Sequence, residues 1–148
     1  MQLKIKSFDE LTKKELYEIL LLRSEVFVKE QGNRYQDPDR TDYDSLHIFY
    51  EEEDHSVSGC LRIFQKADEP GTVQIGRVVT AAASRGKGLG ERLMETAEKT
   101  AKERYGAASL YLTGRKSALG FYKKCGFYTA SEELSGAYTP YYEFRKEI

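Results

Sequence analysis

Residues 73–80 read VQIGRVVT, and residues 85–94 read RGKGLGERLM. The first stretch is an apolar, β-branched run of the kind that forms strands. In the second stretch, glycines at alternate positions leave main-chain N–H groups uncovered by side chains, and the apolar residues from Leu89 onward recur at helical spacing. Together the two stretches predict a strand, a tight turn and the N-terminus of a helix.

A turn of this kind is a candidate anion site. Uncovered amides and the positive end of a helix dipole, worth roughly half an elementary charge, favour phosphate. A Walker loop is excluded because Lys87 is followed by Gly88 rather than by Ser or Thr. A dinucleotide fingerprint is excluded because Glu91 stands where its third glycine would allow close packing of helix on strand.

The loop fits a different pattern, Arg-x-x-Gly-x-Gly, at Arg85, Gly88 and Gly90. This pattern resembles the acetyl-CoA pyrophosphate loop of the GNAT superfamily of N-acetyltransferases. A plain glycine-rich turn is the alternative, because six-residue motifs also occur by chance.

A second pattern further along the chain strengthens the resemblance. GNAT enzymes carry a short helix that ends in a tyrosine, three residues and Gly-Phe, and this chain matches it at Ala118, Tyr122, Gly126 and Phe127. The chain is also similar to the ElaA-like GNAT group at residues 22–31, Tyr35, Asp44, His47 and residues 75–79. The resemblance spans essentially the whole chain and implies a single GNAT-like domain over residues 1–148.

Composition limits the function classes. The chain has 148 residues, 40% hydrophobic and 32% charged, which is typical of one globular domain with its own core. A net charge of −1 and the absence of tryptophan give no basic, aromatic-lined face for nucleic acid. No apolar run is long enough to span a membrane, and no signal peptide is evident, so a cytoplasmic location is expected. Cys60 and Cys125 have no metal or redox spacing, so no metal is expected.

The order of elements predicts an α/β fold. Strands are expected at residues 2–7, 47–50, 57–65, 73–80, 107–113, from residue 127, and at 138–145, and helices at residues 12–32 (one long or two short), 88–105 and just before Gly126. The turns between the middle strands are too short for crossover helices. A mixed, mostly antiparallel sheet flanked by helices follows, which agrees with the acyl-CoA N-acyltransferase fold that the resemblance implies.

Residues 33–45 form a polar, acidic segment that includes Asp37, Asp39, Asp42 and Asp44. With little to bury, it is expected to be a solvated loop rich in turn-forming residues. Alternatively, its charge forms a rim that attracts a cationic amine.

The resemblance implies an acetyl-CoA site. Its expected residues are Val78, Val79, Thr80, Arg85, Gly86, Lys87, Gly88, Leu89, Gly90, Glu91 and Arg115. The strand residues would pair with the pantetheine arm through their main chain, and one N–H would polarise the thioester carbonyl, a role worth about 3 to 4 kcal/mol. The loop would hold the pyrophosphate. Arg115 stands where the family often has Asn, so it would reach a phosphate or face solvent.

The resemblance also implies that Tyr122 assists the leaving thiolate. A phenol with a pKa near 10 and a thiol near 8.5 make full proton transfer uphill by roughly 2 kcal/mol. Tyr122 would therefore act mainly as a hydrogen-bond donor to the sulfur, and a buried core tyrosine is the alternative.

The general base is not placed by the resemblance. Some relatives carry a glutamate in the strand before the short helix, but residues 109–113 contain no carboxylate. Because an alkylamine is mostly protonated at neutral pH, a proton must be accepted, and Glu30, His47 and Glu51 are the candidates.

The sequence thus predicts an N-acetyltransferase that moves the acetyl group of acetyl-CoA to a primary amine by direct attack in a ternary complex. The expected acceptor is a small molecule. A protein or peptide amine, and a catalytically silent CoA-binding module, are the alternatives. No nucleic-acid or membrane partner is expected, and exposed strand edges make a homodimer plausible.

Overall fold

A computed structural model describes residues 1–136 and 139–148 of the chain. Its strands are β1 (Gln2–Ser7), β2 (Leu46–Glu51), β3 (Val57–Gln65), β4 (Thr72–Thr80), β5 (Ser109–Arg115), β6 (Tyr128–Thr129), β7 (Leu134–Ser135) and β8 (Pro140–Glu147). Its α-helices are α1 (Lys13–Arg23), α2 (Leu89–Tyr105) and α3 (Leu119–Lys124). Among the described helices, none is long and apolar enough to cross a bilayer.

The strands form one sheet in the order β1-β2-β3-β4-β5-β8-β6, and β7 also pairs with β8. Only the β4–β5 contact is parallel; the other pairings within the described residues are antiparallel. The predicted mixed, mostly antiparallel sheet is confirmed. The parallel pair forms because α2 carries the chain from the end of β4 back to the start of β5.

Strands β4 and β5 separate soon after they begin. Their pairing is limited to Thr72 with Ser109, Val73 with Leu110, and Gln74 with Tyr111. β4 is also irregular on its other side, where Cys60 faces Val79 but Arg62 faces Gly76. This bulge places Arg77 at a φ of 54°, and it bends the second half of β4. The sheet is therefore open between the C-terminal halves of β4 and β5.

Helices cover both faces of the sheet. On one face, α1 and the segment after it pack Ile19, Leu22, Val26 and Phe27 against Phe49, Cys60 and Val79. On the other face, α2 packs Leu93, Met94 and Ala97 against Ile48, Leu61 and Ile63, and Tyr122 of α3 joins the same cluster. The alternation of sheet residues between the two clusters follows from the two-residue period of a strand.

Several predicted bounds agree with the structure. β1 has the predicted limits, and α2 ends at Tyr105 with Gly106 in the left-handed conformation that suits a C-terminal cap. The predicted long helix is continuous, but its second part, Ser24–Glu30, is a π-helix. β5 runs on to Arg115 rather than ending at Thr113. The last strand begins at Pro140; Tyr138, where it was predicted to begin, lies outside the described residues.

Candidate active site

A cavity of about 640 Å³ fills the opening between β4 and β5. Its volume lies within the range of small-molecule pockets. The described residues that line it are Phe27, Gln31, Asn33, Tyr35, Gln36, Arg62, Phe64, Gln74, Ile75, Gly76, Arg77, Val78, Leu112, Thr113, Gly114, Arg115, Ser117, Ala118, Tyr122, Gly136, Thr139 and Tyr141. Both faces of the sheet contribute, since Phe27 belongs to the α1 face and Tyr122 to the α2 face. The cavity thus passes through the sheet.

The main chain of β4 borders this cavity along an unpaired edge. Thr80 and Val79 pair with Gly59 and Cys60 of β3, but pairing to β5 stops at Gln74. The N–H and C=O groups of the second half of β4 that point toward β5 therefore have no strand partner there. An extended ligand can add to such an edge as a strand does.

The glycine-rich loop forms the turn into α2. Gly86 and Gly88 have φ values of 80° and 76°, and nothing lies within 4 Å of where their side chains would be. Gly88 is the N-terminal cap of α2, and the amide of Arg92 donates to its carbonyl at 3.2 Å. That bond is the first within the helix. The amides of the three residues before Arg92, which are Leu89, Gly90 and Glu91, therefore have no partner within the helix. The loop presents bare amides at a helix N-terminus, as the sequence predicted.

Charged side chains around this loop are already paired. The two terminal guanidinium nitrogens of Arg85, Nη1 and Nη2, donate to Glu30 at 2.6 and 2.8 Å. Glu91 pairs with Lys124 of α3 at 2.9 Å. Lys87 is exposed. The backbone, together with Lys87, is therefore the part of the loop that is ready for an anion.

Tyr122 lines the cavity from the α2 side. Its ring packs against Phe121, Phe144 and Phe127, with centroids 5.2, 5.1 and 6.3 Å away. Burial raises the pKa of its phenol well above the ordinary value. Among the described residues, none hydrogen-bonds to its hydroxyl. The phenol therefore stays protonated and keeps its hydrogen-bond donor for a ligand.

A model of the acetyltransferase (GNAT) family matches residues 13–127 of the chain. The match includes α1, the glycine-rich loop and the whole of α3. The chain belongs to the GNAT family.

Similar proteins support this membership. ElaA from Escherichia coli K12 is 33% identical over 141 residues, which cover 94% of this chain and 92% of ElaA. The crystal structure of Escherichia coli ElaA matches with a TM-score of 0.90 and 30% identity over 99% of both chains. An acyl-CoA N-acyltransferase from Pseudomonas aeruginosa matches with a TM-score of 0.89 and 33% identity, again over 99% of both chains. The predicted resemblance to the ElaA-like group and the predicted GNAT fold are confirmed.

The three candidate bases of this GNAT protein lie outside the lining of the cavity. Glu30 is held by Arg85, and this ion pair lowers the pKa of its carboxyl. His47 is buried, its Nε2–H donates to the carbonyl of Asp42 at 2.9 Å, and burial lowers the pKa of its imidazole. Glu51 accepts from Lys4 at 3.0 Å, and this bond lowers the pKa of its carboxyl. The structure does not bring the three together, and each has another partner.

The acidic segment has a different role from the one predicted. Asp37 and Asp42 are each only 5% exposed, so the expectation of a solvated loop is wrong for them. Arg23 Nε lies 2.9 Å from Asp37 Oδ2, and Arg23 Nη1 lies 2.9 Å from Asp42 Oδ1. The segment folds inward because buried arginines need carboxylate partners.

Two more arginines complete this cluster. Arg62 of β3 bonds Asp39 at 2.6 Å and Asp42 at 2.8 Å. Arg77 of β4 lies 2.9 Å from Asp37 and 3.4 Å from Asp39. Three carboxylates thus meet three guanidinium groups, counting Arg23, so these aspartates leave no net negative rim to attract a cationic amine.

Two features of the site were missed by the sequence interpretation. A side chain on Gly114 of β5 would come within 2.5 Å of Tyr122 Cε2, so only glycine leaves room for that ring. A glycine inside a strand is a known signal of close approach, and it could have been used. Tyr141 also lines the cavity, but it comes from a distant segment, and no local pattern marked it. Tyr35 is part of the ElaA-like resemblance but was not predicted to be a site residue, and it lines the cavity as well.

Proposed function

We propose that this protein is an acetyl-CoA-dependent N-acetyltransferase that transfers the acetyl group to a primary amine on a small molecule by direct attack in a ternary complex. The observation that carries the proposal is the shared cavity: an open edge of β4 and the phenol of Tyr122 face one another across the splayed strands. Membership of the GNAT family and the similarity to an acyl-CoA N-acyltransferase support the choice of co-substrate.

The loop fits the diphosphate of acetyl-CoA. The amides of residues 86–91 would donate to its oxygens, and Gly86 and Gly88 leave the approach free of side chains. Lys87 would add a positive charge. Arg85 would contribute only after exchanging its bonds to Glu30 for bonds to phosphate. Backbone donors at a helix N-terminus suit a group that carries two negative charges.

The open edge of β4 fits the pantetheine arm. Main-chain groups of Val78, Val79 and Thr80 would pair with its amides, while the side chain of Val79 stays in the core at 4% exposure. An N–H of this segment would donate to the thioester carbonyl and stabilise the negative charge that grows there during attack, a contribution of about 3 to 4 kcal/mol.

Tyr122 would stabilise the departing sulfur. The amine nitrogen forms a bond to the carbonyl carbon, the C–S bond breaks, and the sulfur leaves with the bonding electrons as a thiolate. Since burial raises the pKa of Tyr122, proton transfer to the thiolate is even less favourable than for an ordinary phenol. Tyr122 therefore acts as a hydrogen-bond donor to the sulfur, and the thiolate takes its proton later from water.

The amine proton goes to water in this proposal. The described lining of the cavity includes no carboxylate and no imidazole. The reactive acceptor is the neutral amine, so kcat/KM should rise with pH until the acceptor's own amine is deprotonated.

Turnover and cofactor affinity test the proposal together. Thiol release from acetyl-CoA would be followed with a panel of small amines, and acetyl-CoA binding would be measured by calorimetry. Tyr122→Phe should lower kcat about tenfold to a hundredfold, because a hydrogen bond to a charged sulfur is lost, while acetyl-CoA affinity stays nearly unchanged.

Tyr17→Phe is the matched control, since Tyr17 is 69% exposed on α1 and lies outside the cavity lining. It should leave both measurements unchanged. An unaltered kcat in Tyr122→Phe would remove Tyr122 from this role. Tight acetyl-CoA binding without thiol release for any small amine would point to a peptide acceptor or a silent binding module instead.

A further inference from the structure

The charged side chains in the described wall of the cavity are all positive. Its described lining residues include three arginines, Arg62, Arg77 and Arg115, and no aspartate, glutamate, histidine or lysine. A pocket that held a purely cationic amine would need a negative or neutral wall near it. The lining therefore favours an acceptor that carries negative charge in addition to its amine.

Two of the three arginines are already neutralised. Arg62 pairs with Asp39 and Asp42, and Arg77 pairs with Asp37 and Asp39. Their role is to hold the acidic segment against β3 and β4. The positive charge of the third arginine of the wall, Arg115, is not neutralised by these aspartates.

Arg115 has no partner among the described residues. It forms no ion pair there, and its Nε is buried without a hydrogen-bond acceptor. A buried donor left unsatisfied costs free energy, and native structures rarely keep one without a reason. The adjacent Lys116, by contrast, is bound to Glu133 at 2.6 Å.

Arg115 lies among hydroxyl-bearing residues of the cavity wall. In the register of β5 and β8, Arg115 lies opposite Tyr141, which also lines the cavity. Burial raises the pKa of Tyr35, and the cations of Arg77 and, more weakly, Arg115 oppose that rise, so Arg115 acts on the phenol from within the same pocket. Hydroxyl groups of Thr113 and Ser117 lie in the same wall.

This position separates Arg115 from the diphosphate site. No residue of the segment 79–91, which carries the glycine-rich loop, is among the described residues that line the cavity. Arg115 therefore lies apart from the proposed diphosphate site, and its guanidinium group is available to another anion in the cavity.

We propose that Arg115 binds the carboxylate of the acceptor, so that the substrates are amines that also carry an acid group, such as amino acids. This inference rests on the proposed N-acetyltransferase activity and names its substrate class. A guanidinium group offers a carboxylate two parallel donors, and bidentate binding would orient the molecule. Its amine would then reach toward the thioester at Tyr122.

Matched acceptor pairs test this inference. Thiol release would be measured for common α-amino acids and for their α-amides, in which a neutral carboxamide replaces the carboxylate. The amide has the less basic amine, so basicity alone would favour the amide at neutral pH. We expect kcat/KM for the best acid to exceed that of its amide by about tenfold to a hundredfold, the range for a hydrogen bond between charged groups.

Variants of Arg115 assign the preference to this side chain. Arg115→Gln should raise KM for acids far more than for amides, which removes the preference, while acetyl-CoA affinity stays unchanged. Arg115→Lys should retain part of the preference, since it keeps the charge but loses the planar fork. Arg104→Gln makes the same chemical change on the exposed end of α2 and should have no effect.

The outcomes separate the two proposals. Equal activity with acids and amides, or a preference that survives in Arg115→Gln, would overturn the inference and leave the acetyltransferase activity standing. Loss of acetyl-CoA affinity in Arg115→Gln would return this residue to the cofactor site. If no amine is acetylated, binding of N-acetylated amino acids and their amides to the protein with CoA would be measured by calorimetry, and equal binding of the two would overturn the inference.

Discussion

Tyr122 is enclosed by aromatic rings and by the bare backbone of Gly114. The rings of Phe121, Phe127 and Phe144 hold it on three sides. On the remaining side, a Cβ on Gly114 would lie 2.5 Å from Tyr122 and 3.1 Å from Phe144. The position of the phenol thus depends on the absence of one side chain.

Gly114→Ala should therefore displace the Tyr122 ring. Overpacking of a core position typically costs about 1 to 3 kcal/mol, so the free energy of unfolding should fall by that amount. kcat should fall with it, because the hydroxyl moves away from the cavity. Chemical denaturation and thiol release would measure the two effects.

Gly120→Ala is the control for this change. Gly120 is exposed within α3, and nothing lies within 4 Å of its would-be side chain. Alanine is also the better helix former. This variant should keep full activity and equal or greater stability; a similar loss in both variants would contradict the steric explanation.

At the level of single elements, α2 and its loop were predictable because their signals are local. The glycine-rich motif, the helical spacing from Leu89 and the stop at Gly106 all lie within a few residues of the structure they determine. The π-helix over Ser24–Glu30 was not predictable from spacing alone. It widens one turn of the helix, where the amide of Gln31 donates to the carbonyl of Val26 at 2.9 Å, and π-helical turns are frequent near functional sites.

The loop gives a prediction at this scale. Gly88→Ala should weaken acetyl-CoA binding about tenfold, because the methyl group narrows the approach to the amides and the positive φ becomes strained. The strain itself should cost roughly 1 to 2 kcal/mol of stability. Calorimetry and thermal denaturation would separate affinity from stability.

Gly71→Ala is the matched control for the strain of placing alanine at a positive φ. Gly71 has a φ of 85° and open space around it, but it lies in the turn before β4, outside the glycine-rich loop. It should lose a similar amount of stability and no affinity. Equal loss of affinity in the two variants would argue against the loop as the diphosphate site.

At the scale of the whole molecule, the features missed by sequence are those made by distant residues. The cavity exists because β4 and β5 diverge, and the pairing of β5 with β8 depends on a segment some thirty residues further along the chain. Arg77 meets Asp37 across the fold, so neither side chain signals its partner locally. For the same reason the burial of the acidic segment could not be inferred from its composition.

This ionic cluster makes stability dependent on pH. Burial alone would raise the pKa of Asp42, but hydrogen bonds and charges of Arg23 and Arg62 outweigh burial and lower it. Hydrogen bonds from Arg62 lower the pKa of Asp39. Both groups bind protons less readily in the folded state, so their stabilisation is complete above the ordinary pKa of 3.8 and is lost as the pH falls through their lower, folded values. The free energy of unfolding should therefore fall in acid.

Asp42→Asn tests the cluster directly. The substitution removes the carboxylate that the buried Arg23 and Arg62 share. The free energy of unfolding should therefore fall by about 3 to 5 kcal/mol at neutral pH, and it should depend less steeply on pH in acid. Denaturant unfolding between neutral pH and about pH 3 would give both values. Asp44→Asn, at an exposed neighbour in the same segment, should change neither, and an equal effect in both variants would contradict the assignment.

We expect one cavity through the sheet to align a thioester, bound by the backbone, with the phenol of Tyr122. The most direct measurement is a crystal structure with acetyl-CoA bound. The diphosphate should lie within hydrogen-bonding distance of the amides of residues 86–91, the pantetheine arm along the open edge of β4, and the sulfur at the Tyr122 hydroxyl. Acetyl-CoA bound elsewhere, or with its sulfur turned away from Tyr122, would contradict this expectation.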